Sequence, residues 1–331
     1  MPEQGGVFLD EEAWRTTFEG WEIVDVAVRD RNIVYLALRE AIPNDRASEM
    51  WEQDIPSRFV SLFLHKEDPA ERWGHQGLSG FRKTRVGASR EPIGQGLAVS
   101  SNGDVFASGS KKKGMEQIVP DGQPTAIQNV RTIGGRAYAV GLLREVYRRI
   151  DVGRWERLSQ GLPPITPEQL EAEAVLDLGF RDIDGFAEDD LYAVGGRGDL
   201  WHHDGSTWTP CELPTNLPLF TVTCAGDGHV YLSGEGGTVL RGRGDVWQTV
   251  WTAEMTVPYN DTRWFDGLLW LCSDYRLDQL VAGQVRPAEH EGRRVLAYGH
   301  MDAAEGLLVV AGLDAVRAFD GQSWRLLLRA Y

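Results

Sequence analysis

Short apolar runs that end in a small residue recur along the second half of the chain at a fixed interval. The four runs begin at positions 192, 231, 270 and 309, and they read Tyr192-Ala-Val-Gly195, Tyr231-Leu-Ser-Gly234, Trp270-Leu-Cys-Ser273 and Val309-Val-Ala-Gly312. A period near 40 with several short strands per repeat, and without helical spacing, is typical of β-propeller blades. Because a single four-stranded blade cannot bury both of its faces, the pattern predicts a ring of stacked blades.

The tryptophans support the same repeat. Trp155, Trp208 and Trp324 each come four residues after an aspartate. A residue repeated at one blade position is expected to pack between neighbouring blades. The same aspartate-to-tryptophan step occurs near the N-terminus, so residues 1–18 are predicted as a ring-closing strand. Since residues 323–329 also complete the last repeat, either one of these strands lies outside the ring or the number of blades differs by one.

The length of 331 residues accommodates seven blades of about 40 residues. We therefore predict an all-β fold, a single seven-bladed propeller domain over residues 1–331. Residues 41–57 interrupt blade one and are predicted as an insertion loop, with one helical turn capped by Ser48. Blade two is the least regular, because its pattern predicts strands only over residues 97–101 and 104–110.

A short helix is predicted between blades three and four, within residues 161–179. Thr166 is a candidate N-cap, Pro167 follows at the first helical position, and Gln169 completes a capping box. Gly179 is expected to end the helix. The all-β ring is thus expected to carry one inserted helix.

The motifs of blades four and five resemble a known bacterial repeat. Blade four reads Asp190-Leu-Tyr192-Ala-Val-Gly195 and then Asp204-Gly205-Ser-Thr-Trp208, and blade five reads His229-Val-Tyr231-Leu-Ser-Gly234. These are similar to the repeats of BNR-like and YVTN/WD40-like propellers. The resemblance implies a propeller and little about activity. The chain lacks the Gly-His and Trp-Asp pair of true WD40 repeats, and Asp204 is followed directly by glycine, which departs from the Asp-box of sialidases.

The sequence contains no established catalytic or metal-binding motif. Adjacent strand residues such as His202 and His203 point to opposite faces, and none of the seven histidines lies in an HxH or HExxH motif. Cys211, Cys224 and Cys272 have no CxxC spacing and are interpreted as reduced, buried thiols. Nucleotide-binding and serine-nucleophile motifs are missing as well. We expect no cofactor and no metal.

The charge is strongly acidic and unevenly distributed. The formal net charge is −15, yet residues 81–157 contain 14 Lys/Arg against 7 Asp/Glu, which leaves 20 against 42 in the rest. An acidic surface repels nucleic acid and suits a basic protein partner. The chain has no run of 18 apolar residues and opens without a signal-like segment, so we expect a cytoplasmic protein that does not enter membranes.

Residues outside the repeat are the better candidates for function, because repeated positions serve the ring. The candidate partner-binding residues are Met50, Trp51, Glu168, Glu171, Glu173, Asp177, Asp182, Asp184, Glu188 and Asp189. The alternative for the acidic members is a solvated face that only aids solubility.

These observations favour a non-catalytic, protein-binding propeller, most sharply an immunity or antitoxin-type inhibitor that clamps a basic toxin domain. One alternative is an enzyme, a hydrolase or lyase, with carboxylates such as Asp266 and Asp302 at the mouth of the central tunnel. Another is an assembly scaffold.

Overall fold

The computed structural model describes residues 6–120, 123–171, 175–253 and 257–331. Within these ranges, seven antiparallel sheets of four strands each are arranged as the blades of a ring. The predicted all-β fold and the seven-bladed propeller are confirmed. Each blade is a meander of four consecutive strands, of which the first lines the central tunnel and the fourth lies at the rim.

Blades one to three occupy the first half of the chain. Their strands are β1 (Trp21–Asp30), β2 (Ile33–Glu40), β3 (Ser57–Phe63), β4 (Trp73–Leu78), β5 (Arg85–Ser89), β6 (Gln95–Val99), β7 (Asp104–Gly109), β8 (Lys112–Gln117), β9 (Ile127–Ile133), β10 (Arg136–Gly141), β11 (Glu145–Asp151) and β12 (Arg154–Arg157). The first strand of blade two, β5, has no counterpart in the sequence-based prediction.

Blades four to seven follow the 39-residue period. Their strands are β13 (Phe180–Ala187), β14 (Asp190–Gly195), β15 (Asp199–His203), β16 (Trp208–Pro210), β17 (Leu219–Cys224), β18 (Val230–Gly234), β19 (Val239–Arg243), β20 (Val246–Trp251), β21 (Asp261–Phe265), β22 (Leu268–Cys272), β23 (Leu277–Val281), β24 (Gln284–Pro287), β27 (His300–Ala304), β28 (Leu307–Ala311), β29 (Ala315–Phe319) and β30 (Trp324–Arg329). A small hairpin of β25 (Glu289–His290) and β26 (Arg293–Arg294) lies between blades six and seven.

The apolar core lies between blades, not within them. Along β2, Val34 and Leu36 pack in a cluster shared with blade seven, whereas Tyr35 and Ala37 pack in one shared with blade two. Alternate residues of a strand point to opposite faces, so one apolar strand supplies two interfaces. The described residues contain seven such clusters, one for each pair of neighbouring blades.

The repeated tryptophans lie in these interfaces. Trp208 packs between blades three and four, Trp324 between blades six and seven, and Trp155 against the cluster of blades two and three. The prediction that this series packs between blades is confirmed.

The described part of the N-terminal segment, residues 6–18, is not a blade strand. Asp10 caps a helical turn, α1 (Glu11–Ala13), by accepting the Ala13 N–H at 2.9 Å, and a π-helical turn follows over Trp14–Phe18. The outer position of blade seven is already filled by β30. For residues 6–18 the predicted ring-closing strand is therefore corrected: the Phe8 and Leu9 N–H groups bond to β30, at 3.1 and 2.9 Å, but no strand forms there. Residues 1–5 of that prediction lie outside the described residues.

Both predicted insertions are present, with one difference. The capping box is formed, because the Thr166 N–H donates to Gln169 Oε1 at 2.9 Å and the Gln169 N–H donates to Thr166 Oγ1 at 3.3 Å. The two helical turns that follow are α3 (Pro167–Glu171) and α4 (Val175–Leu178). In the insertion of blade one, Ser48 follows its helical turn, α2 (Asn44–Ala47), and does not cap its start.

The remaining short turns are 3-10 helical. They span Glu52–Asp54, Pro69–Glu71 and Glu235–Gly237. None of them interrupts a blade strand.

The connections of an antiparallel meander alternate between the two faces of the ring. We call insertion face the side with the loops that join second to third strands and one blade to the next. It carries residues 41–56, residues 158–171 and 175–179, and the β25–β26 hairpin. The opposite side, with the turns that join first to second and third to fourth strands, is the hairpin face.

Candidate functional site

Charged side chains from four blades meet in the central tunnel. Arg131 on β9 forms a bidentate ion pair with Asp182 on β13, with both N–O distances at 3.0 Å. On the other side, Arg263 on β21 donates to Asp302 on β27 at 2.7 Å. Arg131 also lies 3.9 Å from Asp302, which joins the two pairs into one network. The tunnel is therefore crossed by paired charges.

The same carboxylates hold the blades together. In each case an aspartate on the first strand of one blade accepts a backbone N–H from the first strand of the next. The pairs are Asp25 with Val86 (2.9 Å), Asp182 with Val222 (2.9 Å), Asp184 with Cys224 (2.8 Å), Asp261 with Met301 (3.1 Å) and Asp302 with Val28 (2.8 Å). These acids act as staples between blades, and the last one closes the ring from blade seven to blade one.

Burial and pairing shift the titration of this network. Burial raises the pKa of Asp182 to about 6, although Arg131 acts in the opposite direction. Burial likewise raises the pKa of Asp302 to about 6. Burial lowers the pKa of His300, but the hydrogen bond and charge of Asp261, 3.1 Å away, outweigh it and leave that pKa raised. The His300–Asp261 pair is thus stabilised in its charged form.

Two cavities flank the network. One of about 210 Å³ is lined by residues such as Arg90 and Thr132 towards the hairpin face. The other, of about 250 Å³, is lined by residues such as Arg85 and Tyr259 towards the insertion face. Both are small, and their carboxylates are committed to ion pairs and staples.

The structure does not bring Asp266 and Asp302 together. Asp302 lies within the tunnel network, whereas Asp266 lies in the turn between β21 and β22 on the hairpin face. Asp302 lines the 210 Å³ cavity and Asp266 does not. The two-carboxylate site that the enzyme alternative requires is therefore not assembled from these residues.

Part of the predicted partner-binding set lies on the insertion face. Trp51 is 75% exposed and Met50 is partly exposed. Glu168 is exposed in α3, and Asp177 in α4 forms an ion pair with Arg197 at 3.1 Å. Glu171 is the last residue of α3, and Glu173 lies outside the described residues. The two insertions thus present their candidates on the same side of the ring.

The other predicted residues lie elsewhere. Asp182 is 2% exposed and Asp184 lines the tunnel, so the structure assigns both to the staples and not to an accessible surface. Glu188 accepts from Arg136 at 3.2 Å and from Arg148 at 3.0 Å. Glu188 and the exposed Asp189 form a turn on the hairpin face. The acidic run from Asp182 to Asp189 is therefore not continuous with the inserted helix.

Three exposed apolar residues on the insertion face were not predicted from the sequence. Tyr275, Leu296 and Leu313 are 77%, 70% and 57% exposed, respectively. Each lies in an inter-strand loop, where the repeat pattern predicts polar turn residues. That departure from the pattern was the available signal.

The fold defines the class of protein. The chain is similar to virginiamycin B lyase from Staphylococcus aureus, with a TM-score of 0.64, 10% identity and coverage of 93% of this chain and 94% of that chain. It is also similar to the WD40 propeller domain of Doa1, with a TM-score of 0.60, 13% identity and coverage of 90% and 92%. These likenesses show the fold alone, and they confirm the predicted propeller repeat. No family model matches the sequence.

A closer relative gives the family. Over 239 residues, the chain is 37% identical to the immune protein Tsi7 of Pseudomonas aeruginosa, which covers 71% of this chain and 76% of that protein. The chain therefore belongs to the family of the immune protein Tsi7, as an immunity protein built on a β-propeller. Membership of such a family implies a toxin protein as the binding partner.

Two further features concern the described residues alone. Their helices are all too short or too polar to cross a membrane. The same residues include no group of three His, Cys, Asp or Glu side chains placed to hold a metal ion.

Proposed function

We propose that this chain neutralises a toxin by forming a stable stoichiometric complex that covers the toxin's active site, and that the contacted toxin surface is basic. The observation that carries the proposal is the 37% identity to an immune protein. We further propose that the complex forms in the cytoplasm and that the blade repeats are of the BNR-like type, as their motifs suggest.

Charge on the insertion face supports a basic partner. Residues 158–179 contain four Asp/Glu and no Lys/Arg, and residues 41–56 contain four Asp/Glu and one Arg. The described residues of both segments lie on the same face of the ring. Negative potential concentrated on one face steers a positively charged partner and orients it before contact.

The paired charges of the tunnel support a binding function and not a catalytic one. The carboxylates of the staples are held by arginines, by His300 or by backbone N–H groups. An acid and base pair needs carboxylates that are free to exchange protons with a substrate. We therefore assign the tunnel to stability, and we assign toxin binding to the loops.

The test is co-expression with the product of the neighbouring open reading frame, where a toxin is expected. We expect that protein to arrest growth alone, and this chain to restore growth and to co-purify with it at equal stoichiometry. Undiminished growth arrest in the presence of this chain would contradict the proposal. A complex in which the toxin keeps its enzymatic activity would instead support the scaffold alternative.

A further inference from the structure

Exposed apolar side chains are unevenly distributed over the ring. The described residues include eight large ones: Trp51, Met115, Val152, Val246, Tyr275, Leu296, Leu313 and Tyr331. Five of them, Trp51, Tyr275, Leu296, Leu313 and Tyr331, lie on the insertion face, and all five belong to blades six, seven and one. The described loops of blades two to five on that face contribute none.

Hydrogen bonds join these loops into one surface. The Gly299 N–H, near Leu296, donates to Ser273 O, near Tyr275, at 2.7 Å. The Ala330 N–H, next to Tyr331, donates to Asp314 O, next to Leu313, at 2.7 Å. The Tyr298 hydroxyl also donates to the Asp314 carboxylate. Four of the five apolar residues are thus held on mutually bonded loops.

A cavity lies beside the insertion of blade one that carries Trp51. It measures about 350 Å³ and is lined by residues that include Glu52 and Ile55 from the insertion of blade one, and His300 from blade seven. Phe81 and Val24 add apolar surface. The cavity therefore lies mainly at the junction of blades one and two, beside the insertion that carries Trp51, and His300 is its contribution from blade seven.

Acidic residues surround the apolar centre. Residues 6–20 and 41–56 on this side contain eight Asp/Glu and two Arg, and Asp274 and Asp314 are adjacent to Tyr275 and Leu313. The charges of the β25–β26 hairpin cancel, with two glutamates and two arginines over residues 289–294. An apolar centre with a charged rim is the usual anatomy of a protein interface.

We infer that the toxin docks on the sector of the insertion face formed by blades six, seven and one, with Trp51, Tyr275 and Leu313 as apolar anchors. This inference rests on the proposed function. The matching toxin surface is an apolar patch rimmed by Lys and Arg. A second copy of this chain fits less well, because each copy has a net charge of −15 and the rims would repel each other.

Paired variants test the docking sector. Tyr275 and Val246 are equally exposed, at 77% and 76%, but Val246 lies on the hairpin face. The probe is the purified neighbouring-gene toxin with an inactivating substitution, and its Kd is measured by calorimetry. We expect Trp51→Ser with Tyr275→Ser to raise Kd at least about tenfold, and Val246→Ser to change it less than about twofold.

The outcomes separate the two proposals. If the unaltered chain does not bind the toxin, the proposed function fails and the docking sector fails with it. If it binds, but the double variant binds as tightly as Val246→Ser, only the docking sector is overturned. A photo-crosslinker at position 275 that captures the toxin, while one at position 246 does not, would support the sector directly.

Sedimentation of the chain alone tests whether a second copy of the chain, in place of the toxin, covers the docking sector. A monomer is expected. A dimer that dissociates on Tyr275→Ser would show that a second copy covers the sector, and would overturn the inference.

Discussion

At the scale of single residues, an aspartate on the first strand of a blade has two partners at once. Asp182 balances the buried charge of Arg131 and accepts the N–H of Val222 in the next blade. A short side chain at this position reaches both, because the inner strands of neighbouring blades lie side by side. Electrostatics and ring assembly are therefore coupled in one carboxylate.

Removing that carboxylate should be costly. Asp182→Ala leaves a buried guanidinium and a buried N–H without their partner, so we expect the free energy of unfolding to fall by about 3–5 kcal/mol. Urea unfolding followed by tryptophan fluorescence measures the change. Asp189→Ala, on the exposed turn, is the matched control and should cost less than about 0.5 kcal/mol. Equal effects of the two substitutions would contradict the stabilising role of Asp182 between blades.

The His300–Asp261 pair predicts a pH dependence. The pKa of His300 is raised in the folded state. The charged His300 therefore stabilises the fold fully below about pH 6.5, the usual pKa of a histidine. This stabilisation is lost as pH rises through the folded-state pKa. The stability difference between the parent chain and His300→Gln should thus be larger at pH 5.5 than at pH 8.5. Urea titrations at both values measure it, and a difference that grows with pH would contradict the ion pair.

The acidic run near blade four shows where sequence patterns are insufficient at this scale. Clustered carboxylates usually lie on a solvated face, which favoured an exposed surface for Asp182 and Asp184. In β13 these two side chains are two residues apart and so share the tunnel-facing side of the strand. The charge of Asp182 can be buried because Arg131, from another blade, pairs with it. The sequence of β13 alone does not indicate this partner.

At the scale of elements, the capping box of the inserted helix is the clearest local prediction that the structure confirms. Thr166→Ala removes one of its two reciprocal bonds, and should destabilise the helical turn by about 1 kcal/mol without affecting the ring. Hydrogen exchange at the Gln169 amide should become faster, while the melting temperature remains unchanged. Unaltered exchange at Gln169 would show that the box does not hold this turn.

Repeats and local motifs predicted different elements with different success. The 39-residue period predicted blades four to seven, because the same apolar positions of each repeat pack in nearly every interface between them. Strand β5 (Arg85–Ser89) was missed, since most of its residues are small and it packs against the first strands of blades one and three. The segment after Asp10 was predicted as a strand from its spacing to Trp14. Its short-range capping bond instead favours a helical turn, which the spacing could not reveal.

At the scale of the whole molecule, net charge predicts the kinetics of toxin binding. The association rate should fall about tenfold or more between low and high salt, because screening removes the steering of a basic partner. The dissociation rate should change much less. Stopped-flow or surface-based kinetics over a salt series measures both, and Glu168→Gln should weaken the dependence slightly. An association rate that does not change with salt concentration would contradict a basic toxin surface.

The closed ring also has a consequence for how such a protein can diversify. Most of its core and all of its staples lie in the strands, whereas the longest departures from the repeat are loops of a single face. Substitutions at the exposed positions of those loops need not disturb the interfaces that keep the blades together. Relatives directed against different toxins can therefore share one unchanged frame, and recognition can evolve at little risk to folding.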